Sequence, residues 1–548
     1  MKTLIATSLV LLFLAACGGG SSGSEPNVLN NQPDSGATDG STNDGSASSC
    51  ESEPAATGYI EDGNFPVYDT ISAIEETSNA SLDNFSSSVL SNNENSEAGT
   101  GDEIAALTGI ATAQIDLNND GYKDLVVAYR GRPSPDITTQ RHEKTPMRMF
   151  LQVPNGFSDS NCQPHTVLID AGNSLMGYKD DGSKEEMPAS EYTRMMVVED
   201  FNGDGHDDIF VGNHGLEAQY PELGISMEYW GEEDFFIMSD SNGLYHVTRP
   251  INWVTEKNIV THNEPFAHYT HGASANDFDK DGDTDLLINV TTASRAIILV
   301  NDGLGNFSEY DDSKMPHRTD GRRAGGLWSA FLDANKDNCV DIAIFDERVD
   351  AYGQNGIYLN DCSGNFNTAV IQFPTPIASG RQEDAEVTDI DGDGNLDIIL
   401  QAIHVPTEHR MKQLLMGQGD GSFVDETTTR LPEQVIPTTR VDSWYTLNDV
   451  VNGGTSATTI INENIFYELA DVDADGDMDI VEAYGNGWGS WPAVWINDNG
   501  VFRVYFNYQT VVSTSAIWMD MGEDGDMDVV DIGPSIEIIE ATGRFQSH

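Results

Sequence analysis

The stretch Asp389-Ile390-Asp391-Gly392-Asp393-Gly394-Asn395-Leu396-Asp397, running straight into Ile398-Ile399-Leu400, decides the fold. Acidic side chains stand at its first, third, fifth and ninth positions, with a glycine at the sixth. On a tight loop the first three can turn inward together. The glycine permits the left-handed bend that brings the seventh carbonyl to the same point. The ninth aspartate closes the set as a strand begins. Calcium takes six to eight such oxygens at about 2.3–2.6 Å, whereas zinc prefers nitrogen or sulfur and magnesium tolerates so flexible a cage less well. A metal-free Asx turn fits the same residues, because Asp and Gly both favour turns.

Recurrence favours the metal. Intact copies occur at Asp116, Asn118, Asp120 and Asp124, at Asp200, Asn202, Asp204 and Asp208, and at Asp277, Asp279, Asp281 and Asp285. Another follows the quoted stretch, at Asp471, Asp473, Asp475 and Asp479. Two copies depart from the pattern. Asp333, Asn335, Asp337 and Asp341 carry Asn338 in place of the glycine, and Asp520, Asp524 and Asp528 surround Gly522, which offers no side-chain oxygen. Asn adopts the left-handed bend more readily than most residues.

The flanks repeat as well. An extended apolar run precedes each loop, as in Met195-Met196-Val197-Val198, and another follows, as in Leu286-Leu287-Ile288. A third run then ends in a turn such as Asn301-Asp302-Gly303-Leu304-Gly305-Asn306-Phe307, Asn360 to Phe366 or Asn497 to Phe502. Four short strands per repeat are the unit of a propeller blade. An all-β chain is therefore expected, with a seven-bladed β-propeller of four-stranded blades over residues 105–548. These residues resemble the FG-GAP/VCBS repeat family, the blade type of integrin α-chain heads. The resemblance implies about five to seven calcium ions, one in the loop between the first and second strands of each blade, with weaker binding at the seventh copy. Cys339 lies in the fourth loop and Cys362 in the hairpin turn of the same blade, so a disulfide between them is expected to stiffen a weakened site; Cys50 and Cys162 are then left to pair by elimination. The last blade is expected to complete the ring with a strand from residues near 105.

The N-terminus reads as targeting rather than fold. Lys2 precedes a short apolar run, Leu4 to Leu14, and Leu14-Ala15-Ala16-Cys17 resembles a bacterial lipobox. Residues 1–16 are read as a signal peptide, and Cys17 as the lipidation site that anchors the chain in the cell envelope. Gly18 is not the Asp that retains lipoproteins at the inner membrane, so the outer membrane is expected. Residues 17–56 form a Gly/Ser/Asn/Asp-rich flexible tether. In 57–104, sparse apolar residues such as Ile71, Ile74, Leu82, Phe85 and Val89 have roughly helical spacing and suggest a short helix. Across the chain 90 acidic residues face 27 basic ones, a net charge of −63. That balance excludes nucleic acid and anionic lipid headgroups as partners. Bound cations account for part of it and a solvated acidic surface for the rest.

In a four-stranded blade, the 2–3 and 4–1 connections share the end opposite the acidic loops. The long insertions fall there, at 130–147, 163–193, 213–234, 248–270, 402–412, 430–465 and 485–493, which marks a binding face. Aromatic residues recur in them, including Tyr220, Tyr229, Trp230, Trp253, Trp444 and Tyr445. Trp488 and Trp491, in Gly487-Trp488-Gly489-Ser490-Trp491, are the leading candidates for stacking on a sugar, with Trp230 beside them. The alternative for each ring is that it packs the long loops against one another. Before the innermost strands stand Arg194, His268, His271, Arg322, Arg323, Arg381, Glu383 and Glu386, read as polar groups at the channel mouth. They suit an anionic ligand such as a uronate or general acid–base chemistry, or they brace neighbouring blades. No nucleophile elbow, P-loop, dinucleotide fingerprint or zincin helix is present. The leading expectation is a binding protein for a glycan or an envelope protein. A polysaccharide lyase working at the channel mouth and a structural envelope subunit are the alternatives.

Overall fold

The computed structural model describes residues 68–71 and, with interruptions, 109–541; the longer undescribed stretches are 1–67, 72–108, 134–141, 158–163, 250–266, 346–354, 375–380, 435–455, 485–492, 507–515 and 542–548. Alternating and near-continuous apolar runs give antiparallel blade strands, one small sheet, Glu433–Gln434 with Thr459–Ile460, is parallel, and helix is confined to single turns among the described residues. Blade one consists of Gly109–Ile115, Asp124–Tyr129, Arg148–Phe157 and Pro164–Asp170, hydrogen-bonded in chain order. Blades two to five repeat this order from inner strands Thr193–Glu199, Thr270–Asn276, Trp328–Leu332 and Arg381–Thr388. The second strands are buried along their whole length, as Asp208–Asn213 and Asp285–Val290 show. Both faces of each blade pack on neighbours, so these strands carry unbroken Val, Ile and Leu instead of a polar alternation.

A seven-bladed propeller of four-stranded blades was expected, and here the structure corrects the reading: six four-stranded blades form, beside one sheet of five strands. The five-stranded sheet is built on Phe466–Ala470, Asp479–Tyr484, Ala493–Asp498 and Val501–Phe506, which contain the sixth acidic loop. Ser456–Ala457 then pairs along the outer edge of Val501–Phe506. An open sheet edge presents unpaired N–H and C=O groups, and the 430–465 insertion supplies a strand that covers it. The sixth four-stranded blade contains Ala516–Met519, Asp528–Ile532 and Ile536–Ala541. Its outer strand is Tyr68–Ile71, paired antiparallel with Ile538 to Ala541. The ring is thus completed by residues 68–71, not by residues near 105, and the one described part of 57–104 is a strand rather than a helix. The other residues of that segment lie outside the described residues, as do the signal, Cys17, the tether, Cys50 and Cys162.

Side chains of successive sheets fill the gaps between them. Leu125, Val127 and Phe150 of blade one pack against Ile517, Met519, Val530 and Ile532 of the last blade, joining the ends of the ring. Gln114 Nε2 donates to the Trp518 carbonyl at 2.8 Å across the same seam. Burial at about 25 cal/mol per Å² makes each such seam the main source of cohesion.

Candidate metal centres and the insertion face

In each described loop the first aspartate works as a turn cap. Asp116 accepts the backbone N–H of Asp120 at 3.1 Å and of Gly121 at 3.0 Å. Asp200, Asp277, Asp333 and Asp471 repeat the arrangement. The fifth-position carboxylate accepts the N–H of position seven, as Asp204 does from His206 at 3.0 Å. Position six is left-handed throughout, at φ 96° for Gly121 and 63° for Asn338, which replaces the glycine. Position four is left-handed too, at Asn119, Lys280 and Lys336, a requirement that the motif does not announce.

The ninth aspartate has a second task. Asp285 accepts Phe278 N–H on one oxygen and Asn301 N–H on the other, at 3.3 and 2.9 Å. Asp341 does the same for Ala334 and Asn360, and Asp479 for Val472 and Asn497. Asp124, Asp208 and Asp397 also join their loop to the third strand. Burial pushes these carboxyls up, to about 7 in Asp124 and Asp285 and about 8 in Asp479, against the pull of the backbone donors. In three blades a side chain on the third strand or just past it then reaches the neighbouring sheet. Asn301 Nδ2 donates to the Phe201 carbonyl at 2.7 Å, Asn497 Nδ2 to that of Ile390 at 2.9 Å, and Gln152 Oε1 accepts Gly522 N–H at 2.7 Å. The second, fifth and seventh acidic loops are therefore tied to the blades that follow them around the ring.

Three loops bring carboxylate oxygens from positions one, three and nine within 4.8 Å of one another: Asp277, Asp279 and Asp285; Asp389, Asp391 and Asp397; Asp471, Asp473 and Asp479. Both oxygens of Asp473 are buried, facing Asp475 of the same loop, and Asp389 Oδ1 is buried with no hydrogen-bond partner. Burial, reinforced by Asp475 and Asp471, pushes Asp473 up to about 7. Converging carboxylates, each set anchored by a buried ninth-position aspartate, fit a hard cation. Loops one, two and four have Asn118, Asn202 and Asn335 at position three and gather fewer charges. Asn118 and Asn335 already donate to Asp120 and Asp337 at 3.0 Å, and Asn202 to the Ser239 carbonyl. Cys339 and Cys362 form a disulfide with an S–S distance of 2.06 Å, so their sulfurs are not thiolate ligands to the fourth loop. In the seventh, residues 523–526, Asp524 among them, lie outside the described residues; Met521 N–H donates to Asp528 at 3.0 Å.

At the opposite end the insertions interlock. All five two-stranded sheets form within or between the connections there. Leu216–Tyr220 pairs with Ile225–Trp230, Thr145–Pro146 with Ala189–Ser190, and Glu232–Glu233 with Ala267–His268. Lys144 Nζ reaches Glu232 at 2.8 Å, and Asp234 accepts from both Asn213 N–H and Thr270 Oγ1 at 2.6 Å. The 163–193 stretch is partly a regular fourth strand, Pro164–Asp170, so the insertion begins after it.

Of the channel-mouth residues, Arg194 and His271 come together around His214. Its ring lies 4.8 Å from His271 and 3.6 Å from Tyr269. Burial first, and the Arg194 charge second, lower His214 to about 3. His214 was missed in the sequence because nothing in its spacing links it to His271 before the blades are adjacent. Arg323 is buried away from the inner strands, donating to Glu309 on the fourth strand at 3.2 Å and pairing with Asp312; Arg322 beside it is exposed. His268 pairs by backbone with Glu232, and Glu386 is half-buried on its inner strand. Arg381 and Glu383 stand on the same inner strand and Trp230 ends a hairpin, but their side chains lie outside the described residues. Trp488 and Trp491 lie outside them altogether. Among the described side chains, Arg194 and His271 of the expected polar residues gather around His214.

A scan against protein-family models finds no match for this chain, and a search of curated proteins finds none either.

Proposed function

We propose that this chain is a calcium-braced binding protein of the bacterial envelope, lipid-anchored through Cys17, that takes a glycan or protein ligand on its insertion face. The observation that carries the reading is the unlike construction of the two ends. One holds uniform nine-residue acidic turns bound into the blades. The other holds every two-stranded sheet of the described residues, in connections of unequal length. Variable loops on a rigid ring are the usual seat of recognition. Calcium is the cation that the loops favour, because their donors are all oxygen. It would sit at the converging carboxylates of loops three, five and six and offset their mutual repulsion. Trp488 and Trp491, placed by sequence in an insertion of that end, are the rings read as stacking on sugar faces.

A polysaccharide panel that includes uronates tests this directly. Calcium-loaded protein is expected to be retained on at least one polymer without creating new chain ends, with retention lost in Trp488→Ala and Trp491→Ala. New chain ends would make it an enzyme instead. Absence of retention on every polymer, together with no capture of an envelope protein, would remove the binding reading.

A further inference from the structure

Loops three, five and six share one donor set, with aspartate at positions one, three, five and nine. They differ in what surrounds position three. Asp473 meets Asp475 of its own loop, and among the described residues no basic side chain pairs with Asp473 or Asp279. In loop five, Arg430 Nη2 donates to Asp391 Oδ2 at 2.9 Å, with the two side chains 19% and 17% exposed. The same guanidinium donates through Nε to Glu426, one turn back, and through Nη1 to the Gly500 carbonyl at 3.2 Å. Gly500 belongs to the strand-joining turn of the five-stranded sheet, so Arg430 bridges the fifth loop to its neighbour. The seat is close-fitting: a Cβ on Gly500, at φ 83°, would fall 2.1 Å from Arg430 Nη1. Arg430 ends the single helical turn Thr427–Arg430, whose start is fixed by Asp425 accepting the Thr427 N–H at 3.0 Å.

We propose that Arg430 competes with calcium for Asp391 and makes loop five the weak, exchangeable site among the three all-aspartate loops. The inference rests on the calcium reading above. A guanidinium already paired with one ligand carboxylate lowers the negative charge offered to the ion, and the ion must displace a charge-assisted hydrogen bond to use that oxygen fully. Without calcium, Arg430 supplies the positive charge that holds the fifth loop against the five-stranded sheet. The pair therefore acts as an alternative latch at one seam of the ring, and changing calcium is felt there before it is felt at loops three and six.

Calorimetric titration of the calcium-stripped full propeller with calcium chloride tests the idea, comparing wild type, Arg430→Ala and Arg430→Lys. Arg430→Ala is expected to tighten one class of site about tenfold, the equivalent of losing one charge-assisted competitor. Arg430→Lys should fall between the two. The gain should vanish in an Asp389→Asn background, which disables loop five itself. In chelator, Arg430→Ala should melt below wild type, because the calcium-free latch is gone. Unchanged or weakened binding in Arg430→Ala, while wild type binds calcium normally, would overturn the proposal alone. A wild type that binds no calcium at any loop would overturn the calcium reading along with it.

Discussion

Glu386 and Glu468 stand on neighbouring inner strands, each three residues before the first aspartate of its loop. Both are half-buried. Burial pushes Glu386 up to about 8, helped by the charges of Asp384 and Glu468, and pushes Glu468 up to about 7. In the folded protein each carboxyl keeps its proton at a pH where the unfolded chain, near 4.5, has lost it. Their contribution therefore favours the fold in acid and is lost as pH rises from about 4.5 through 7 to 8. The double variant Glu386→Gln, Glu468→Gln should melt about 2 °C or more above wild type at pH 8 and close to it at pH 5, at fixed calcium. Equal shifts at both pH values would show that ionisation is not the cause. Glu386 was read as a polar residue just before an inner strand, whereas it lies within Arg381–Thr388. Glu468 holds the equivalent position before its own loop, but its closeness to Glu386 depends on the two sheets being adjacent.

At the scale of the element, the nine-residue loop was legible almost completely, down to the left-handed residue at position six. What remained hidden is that its ninth aspartate is a clamp. The partners of Asp285 are the backbone N–H groups of Phe278 and of Asn301, the latter sixteen residues on, and no spacing rule reveals a main-chain donor on a strand not yet paired. Asp285→Ala leaves two buried donors without an acceptor, a loss of about 2–5 kcal/mol. The melting temperature should fall with calcium and with chelator alike. Asp279→Asn, which touches only the ligand set, should lower it with calcium alone. Identical behaviour of the two variants would mean that position nine serves only the ion. Arg430 was hidden for a related reason: it lies 39 residues from Asp391, in a connection whose sequence carries no repeat.

For the whole molecule, the recurring loops made the propeller readable, while the strand count depended on segments that carry no motif. Tyr68–Ile71 closes the last blade from far outside the repeats, and Ser456–Ala457 widens another sheet to five. Both are recruited by exposed sheet edges, which composition does not display. The interlocked insertion end was visible only as long, aromatic-rich connections; their mutual pairing, such as Thr145–Pro146 with Ala189–Ser190, needed adjacent blades. The carboxylates at the other end raise the central question of what balances them. Thermal unfolding of the whole protein in excess calcium, in excess magnesium and in chelator answers it most directly. An ion at a hundred times its dissociation constant adds roughly 2.7 kcal/mol per site, so calcium should raise the melting temperature well above both other conditions. Coincident melting curves in calcium and chelator would contradict the account.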